Sequence, residues 1–170
     1  MTTEIMLEEV GLEDGQIMAD SARQWRADCQ AGQFKVGATN FRGAKLDMEL
    51  IAAQISEGEY FGYPRQNWLA LLFVDGDGVL STLLLKTESL DNFEELRRSY
   101  RIKGETLLGK LIRATMSKRA SKASGNSYFA VEFEVTSQGK YAEAIAQFRQ
   151  LQYRPDFARL VDSRSESDSK

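Results

Sequence analysis

The longest regular alternation of apolar and polar positions lies between Leu107 and Val135, where LLGKLIRATM and SYFAVEFEV flank the tract SKRASKASGN. Phe129, Val131, Phe133 and Val135 share one parity and Tyr128, Ala130, Glu132 and Glu134 the other, which is the pattern of a strand with one buried and one wet face. On the incoming strand Ile112, Ala114 and Met116 point one way and Leu111, Arg113 and Thr115 the other. Gly125 and Asn126 tolerate the positive φ that a turn home requires. The pattern therefore predicts a long hairpin, with Lys118, Arg119 and Lys122 in the connecting loop as a cationic tip.

Upstream, Trp25, Ala27 and Cys29 alternate with Arg26, Asp28 and Gln30, predicting a half-exposed strand over 24–30 that ends at Gly32. Phe34 and Val36 start a short second strand, followed by the turn-prone Asn40 and Gly43. Over 45–55, Leu46, Met48, Leu50 and Ala52 fall on one face and Lys45, Asp47 and Glu49 on the other. The runs 68–74 and 79–85 are almost continuously apolar, as strands buried on both faces are, and Asp75-Gly76-Asp77-Gly78 between them is a tight-turn sequence. Together they predict a central buried hairpin. Residues 57–66, EGEYFGYPRQ, mix aromatics with Gly and Pro and read as a loop.

Leu90, Phe93, Leu96 and Tyr100 recur at three- and four-residue steps and predict an amphipathic helix of about three turns, with Thr87 or Ser89 as its N-cap. Arg97, Arg98 and Arg101 fall in its last turn. A second helix is expected over 138–150, with Tyr141, Ile145 and Phe148 on one stripe. Residues 1–20 lack sustained periodicity and read as a loosely ordered arm, 21–155 as a single β-rich domain, and 156–170 as a disordered polar tail. The fold class expected is α+β with mostly antiparallel strands: a small curved barrel with one mid-chain helix and one C-terminal helix.

The chain's 170 residues contain no histidine, so a histidine-ligated metal site or a Ser-His-Asp triad cannot be built. The single cysteine, Cys29, cannot pair within the chain and reads as a small core residue in a reducing compartment, which points to the cytoplasm. No run approaches about 20 apolar residues and the acidic start lacks a basic leader, so neither membrane spanning nor secretion is expected. Net charge is −3, but it is unevenly spread. Residues 1–96 carry 7 Lys and Arg against 17 Asp and Glu, whereas residues 97–122 carry 9 against 1. That basic island in an acidic protein has the character of a phosphate-backbone footprint, though a solvated charged face shows the same run.

Two resemblances bear on function. LLFVDGDGVL, residues 71–80, resembles the haloacid-dehalogenase-like phosphohydrolases, a likeness that would make Asp75 a nucleophile and Asp77 a general acid/base. That family also needs a later acidic pair and alternating strands and helices after the motif, and neither is legible here; turn chemistry accounts for the four residues. A calcium loop starting there would close on Lys86 instead of a glutamate.

In layout, residues 21–150 resemble single-stranded nucleic-acid-binding proteins of the oligonucleotide-binding-barrel type, including those of phages and plasmids. The resemblance implies a non-enzymatic binder of nucleic acid, single-stranded DNA ahead of RNA, with no cofactor or metal. Its candidate contacts are Arg97, Arg101, Lys110, Arg113, Lys118, Arg119, Lys122 and Tyr128. Tyr60, Phe61 and Tyr63 could stack on bases, or plug the open end of a barrel. Glu132 and Glu134, on the same face as Tyr128, depart from that pattern. The alternative is an interaction or assembly module whose basic hairpin docks on an acidic protein, or on another copy in a homo-oligomer.

Overall fold

A computed structural model of the chain describes residues 22–60, 62–141 and 145. Its centre is the apolar pair of mid-chain runs. They form β5 (Gln66–Asp75) and β6 (Leu80–Lys86), an antiparallel hairpin in which Val74 faces Leu80 across the DGDG turn. Around it lie β1 (Arg23–Asp28), β2 (Gln33–Val36), β3 (Asn40–Phe41), β4 (Lys45–Gly58), β7 (Lys110–Ala120) and β8 (Ser127–Gln138). The helix α1 (Thr87–Ile102) follows β6. The eight strands make one sheet in the order β3-β2-β1-β6-β5-β4-β7-β8, curled into a half-barrel. Neighbours are antiparallel except β1 and β6, which run parallel with Arg26 opposite Leu84. A small, mostly-β curved fold with one mid-chain helix is thus as expected, with the sheet curled into a half-barrel.

Both faces of the central hairpin are covered, which is why its apolar runs do not alternate. On the helix side Leu69, Leu71, Phe73, Leu83 and Leu85 pack with Phe34, Met48, Ile112 and the helical Phe93. On the other side Trp68, Ala70, Leu72, Val74, Leu80 and Leu84 pack with Ile51 and Ile145. The strand β4 serves both cores because its register shifts between Leu50 and Ala52. An extra residue in one strand reverses the parity beyond it. Ala52 therefore packs with Ile51 on the second core instead of following Leu50, as simple alternation had it.

The helix is longer than predicted, at 16 residues, and neither Thr87 nor Ser89 caps it. Lys86 holds the N-cap position in extended conformation without a side-chain cap bond. Ser89 is buried because its hydroxyl serves the sheet: Oγ accepts the N–H of Val131 at 2.9 Å, and Asn92 Nδ2 donates to the Val131 carbonyl at 3.0 Å. One turn on, Phe93 meets Phe133 edge to face at 5.3 Å. At the same outer edge of β8 the Phe129 N–H donates to the Cys29 carbonyl at 2.9 Å, just beyond the end of β1. The half-barrel is thereby tied across its opening. The Phe129 ring lies on Gly32, where φ is +72° and an added Cβ would stand 2.7 Å from the ring.

The β7–β8 hairpin keeps the predicted faces, with Ile112, Ala114, Met116 and Val131 buried. Two details differ. Lys118 and Arg119 belong to β7, paired with Phe129 and Tyr128, so the loop is shorter than expected. Ala130, on the wet parity, is nevertheless buried, 2% exposed.

Beyond β8, the buried Glu49 accepts the backbone N–H groups of Lys140 and Tyr141. Gly139 is required there, since a Cβ would strike both the Glu49 carboxylate and the Gly109 carbonyl. Of the helix expected over 138–150, Gln138 is instead the end of β8 and Ile145 is helical, its N–H donating to Tyr141 O. The rest of that helix, the arm 1–20 and the tail 156–170 lie outside the described residues. No helix among the described residues is long and apolar enough to cross a membrane.

The DGDG turn is organised by one carboxylate. Asp75, with a side chain 0% exposed, accepts at Oδ2 from Arg23, Trp25 Nε1 and Ser81 Oγ, and at Oδ1 from the N–H groups of Asp77 and Val79. Asp77 is outside, 60% exposed, and pairs with Arg23 and Arg42. Asp75→Ala should cost about 3–5 kcal/mol by urea unfolding, since it removes the acceptor of the Trp25 indole, the Ser81 hydroxyl and the Asp77 and Val79 N–H groups. Asp77→Ala should cost at most about 1 kcal/mol. Equal and small losses would show that the turn does not depend on the buried acid.

Candidate functional site

The parallel pairing of β1 with β6 ends both strands side by side, and the Phe129–Cys29 bond brings the start of β8 alongside them. Between these three elements and the first turn of α1 lies an open cleft of about 590 Å³. Its walls include Arg26, Asp28, Cys29 and Gln30 from the β1 end, Lys35 from β2, Lys86 to Ser89 from the strand-to-helix junction, and Tyr128 to Ala130 from β8. Tyr63 reaches in from the loop before β5.

Charge in the cleft is organised in pairs. Asp28 caps its own turn, accepting from Gln30 and Ala31, and pairs with Lys35 at 3.4 Å. The Ala31 N–H, with help from Lys35, holds that carboxyl below its ordinary value despite partial burial. Glu88 is engaged by hairpin residues: the Tyr128 hydroxyl donates to it at 2.7 Å and Arg119 Nε at 2.8 Å. The Tyr128 hydrogen bond first, then Arg119, lowers the Glu88 carboxyl, and the same bond raises the Tyr128 phenol. Lys86 places its ammonium 4.1 Å over the Tyr63 ring. Burial lowers the Arg26 guanidinium and pushes up the Cys29 thiol, so Cys29 is a wall residue and no ready nucleophile.

The junction itself is strained. Thr87, with φ 51°, is the one non-glycine residue at positive φ among the described residues. A β-branched residue there costs on the order of 1–3 kcal/mol, and such strain gathers at functional sites.

The predicted contact residues do not form one surface. Lys118 and Lys122 are exposed at the hairpin tip, and no carboxylate among the described residues pairs with either. Arg119 beside them is held between Glu88 and Glu132, and Arg113 forks onto Asp47 across the strands at 2.8 and 3.3 Å. Arg97 pairs with Glu94 within the helix. Lys110 donates to the Thr106 carbonyl and, with Lys103, lies over the Tyr100 ring. Arg101 is exposed in the last helical turn. Since Lys118 stands eight residue steps along β7 from Lys110, the two ends lie about 26 Å apart at about 3.3 Å per residue.

Of the loop aromatics, Tyr60 and Tyr63 both meet Trp68 edge to face, and Phe61 lies outside the described residues. Of the two described, Tyr63 reaches the cleft. Arg26, Lys35 and Lys86 were not among the expected site residues; each reads in the sequence as an ordinary polar position on a strand. Among the described residues no group of three or more Cys, Asp or Glu side chains is arranged to hold a metal ion. No protein-family model, no curated protein and no solved structure matches this chain.

The depressed Glu88 and Asp28 give the site a pH dependence. Each contributes stability that is complete above its unfolded value, about 4.3 for Glu and 3.9 for Asp, and lost as pH falls through its lower folded value. Glu88→Gln should therefore flatten the acid limb of the stability curve while costing less than about 1 kcal/mol at neutral pH. An unchanged acid limb in urea melts across pH would contradict the Glu88–Tyr128–Arg119 linkage.

Proposed function

We propose that this protein binds single-stranded nucleic acid, DNA in the first instance, without catalysis and without a cofactor. The observation that carries the reading is the meeting of two features at one end of the hairpin. The exposed Lys118 and Lys122 stand at the tip, and the adjoining cleft offers Lys86, with Lys35 shared with Asp28, beside the rings of Tyr63 and Tyr128. Phosphates need counter-charge and every base offers a π-face, so cations interleaved with aromatics suit a single strand whatever its sequence. The first turn of α1, which lines the cleft without a side-chain cap, adds its positive dipole end.

The reading keeps the chemistry of oligonucleotide-binding barrels and departs from their five-stranded architecture, since this sheet has eight strands. It also narrows the candidate contacts. Arg113 and Arg119 are neutralised by Asp47, Glu88 and Glu132, and serve to shape the surface. Arg97, Arg101 and Lys110 stand at the opposite end and fall outside the proposed interface.

Lys118→Ala with Lys122→Ala should weaken binding to a labelled single strand nearly uniformly across sequences, because phosphates carry no base information. At about 0.7 per lost contact, it should also reduce the slope of log K against log salt by about 1.4. Arg101→Ala with Lys110→Ala removes the same charge and should change both much less. Equal effects from the two pairs would deny the tip its special role. If the wild type binds no strand even at low ionic strength, the reading fails and docking on an acidic protein takes its place.

A further inference from the structure

The cleft is larger than phosphate contact alone requires. Its volume of about 590 Å³ falls within the range of about 300–1,000 Å³ found for small-ligand pockets. Its walls carry the ammonium groups of Lys35 and Lys86, the phenol rings of Tyr63 and Tyr128 and the side-chain amide of Gln30, together with two carboxylates, Asp28 paired with Lys35 and Glu88 accepting from Tyr128. An anionic, aromatic, hydrogen-bonding ligand of that size is a nucleotide.

We infer that the cleft takes one whole nucleotide of the bound strand, turned out of the base stack, with its phosphate on Lys35 and Lys86 and its base on the tyrosine side. The inference rests on the nucleic-acid reading and deepens it. Lys86 now covers the Tyr63 ring, an exposed cation–π contact of modest strength. A base laid on that ring would displace the ammonium toward the incoming phosphate, exchanging one weak contact for stacking and an ion pair. Tyr128 is fixed in advance by its hydrogen bond to Glu88, so its ring needs no ordering when a base arrives. A duplex keeps its bases inside the stack and cannot fill the cleft without unpairing, so the site selects single strands.

The test titrates deoxyadenosine 5′-monophosphate into the full chain and uses it to compete with a labelled 12-nucleotide strand, with inorganic phosphate and deoxyadenosine as separate halves. The nucleotide should compete at concentrations at least about tenfold below either half. Lys86→Ala and Tyr63→Ala should each weaken the nucleotide by at least about tenfold, as loss of a stacking or charged partner does. Lys122→Ala should weaken the strand alone. Lys86→Gln, which keeps the stem, replaces Lys86→Ala should the latter not fold. If the strand binds but millimolar nucleotide does not compete, or competes equally well against the Lys86 and Tyr63 variants, the cleft inference is overturned and the strand reading stands. If neither strand nor nucleotide binds, both fall.

Discussion

The outer edge of β8 is the constraint on which the rest of the molecule depends. An edge strand exposes unpaired N–H and C=O groups, and a curled sheet that fails to close leaves such an edge facing its own opening. Here the Val131 N–H and C=O are taken by Ser89 and Asn92 of α1, and the Phe129 N–H by the Cys29 carbonyl at the far side of the opening. Each such group would cost about 1–3 kcal/mol if buried without a partner. The closure positions the helix, so Phe93 lands on Phe133 and fills the inner core. It also leaves the cleft as the space between β1, β6 and β8 that no side chain fills.

Carboxylates do structural work throughout. Asp75 and Glu49 are buried and accept from backbone N–H groups, Asp75 to shape the central turn and Glu49 to anchor the chain beyond β8. Asp47, Glu88, Glu94 and Glu132 hold arginines of the basic segment 97–122 in ion pairs. The strong positive charge of that segment is therefore not a surface potential of the same size. The cations with no carboxylate partner among the described residues include Lys110 at one end of β7 and Lys118 near the other, about 26 Å apart at about 3.3 Å per strand residue. The tip end adjoins a cleft with aromatic walls. Five donors converge on the enclosed Asp75 carboxylate, as the turn reading of DGDG requires.

Much of the fold was legible because local pattern and tertiary burial agree. The alternation of Phe129, Val131 and Phe133, the unbroken runs of β5 and β6, and the three-and-four spacing of Leu90, Phe93 and Leu96 each have one physical reading. The features missed depend on distant partners. The bulge after Leu50 leaves no local mark, and it alone moves Ala52 to the other core. Ser89 reads as a cap by composition, yet a strand 42 residues away claims its hydroxyl. The cleft is missed for the same reason. It arises from the parallel pairing of β1 with β6, so Arg26, Lys35 and Lys86 meet although nothing in their immediate sequence marks them. Tyr128 and the tip lysines were legible, because a hairpin places its own loop and flanks by construction.

Whether a single strand lies at the hairpin tip and cleft, as proposed, is decided by amide hydrogen exchange with and without a 12-nucleotide strand. Bound strand should slow exchange in residues 26–30, 86–89 and 117–130, and leave residues 97–103 and the turn at 75–78 unchanged. Protection concentrated at 97–103 or along the face of Asp47 and Arg113, with the cleft segments unaltered, would contradict the proposal.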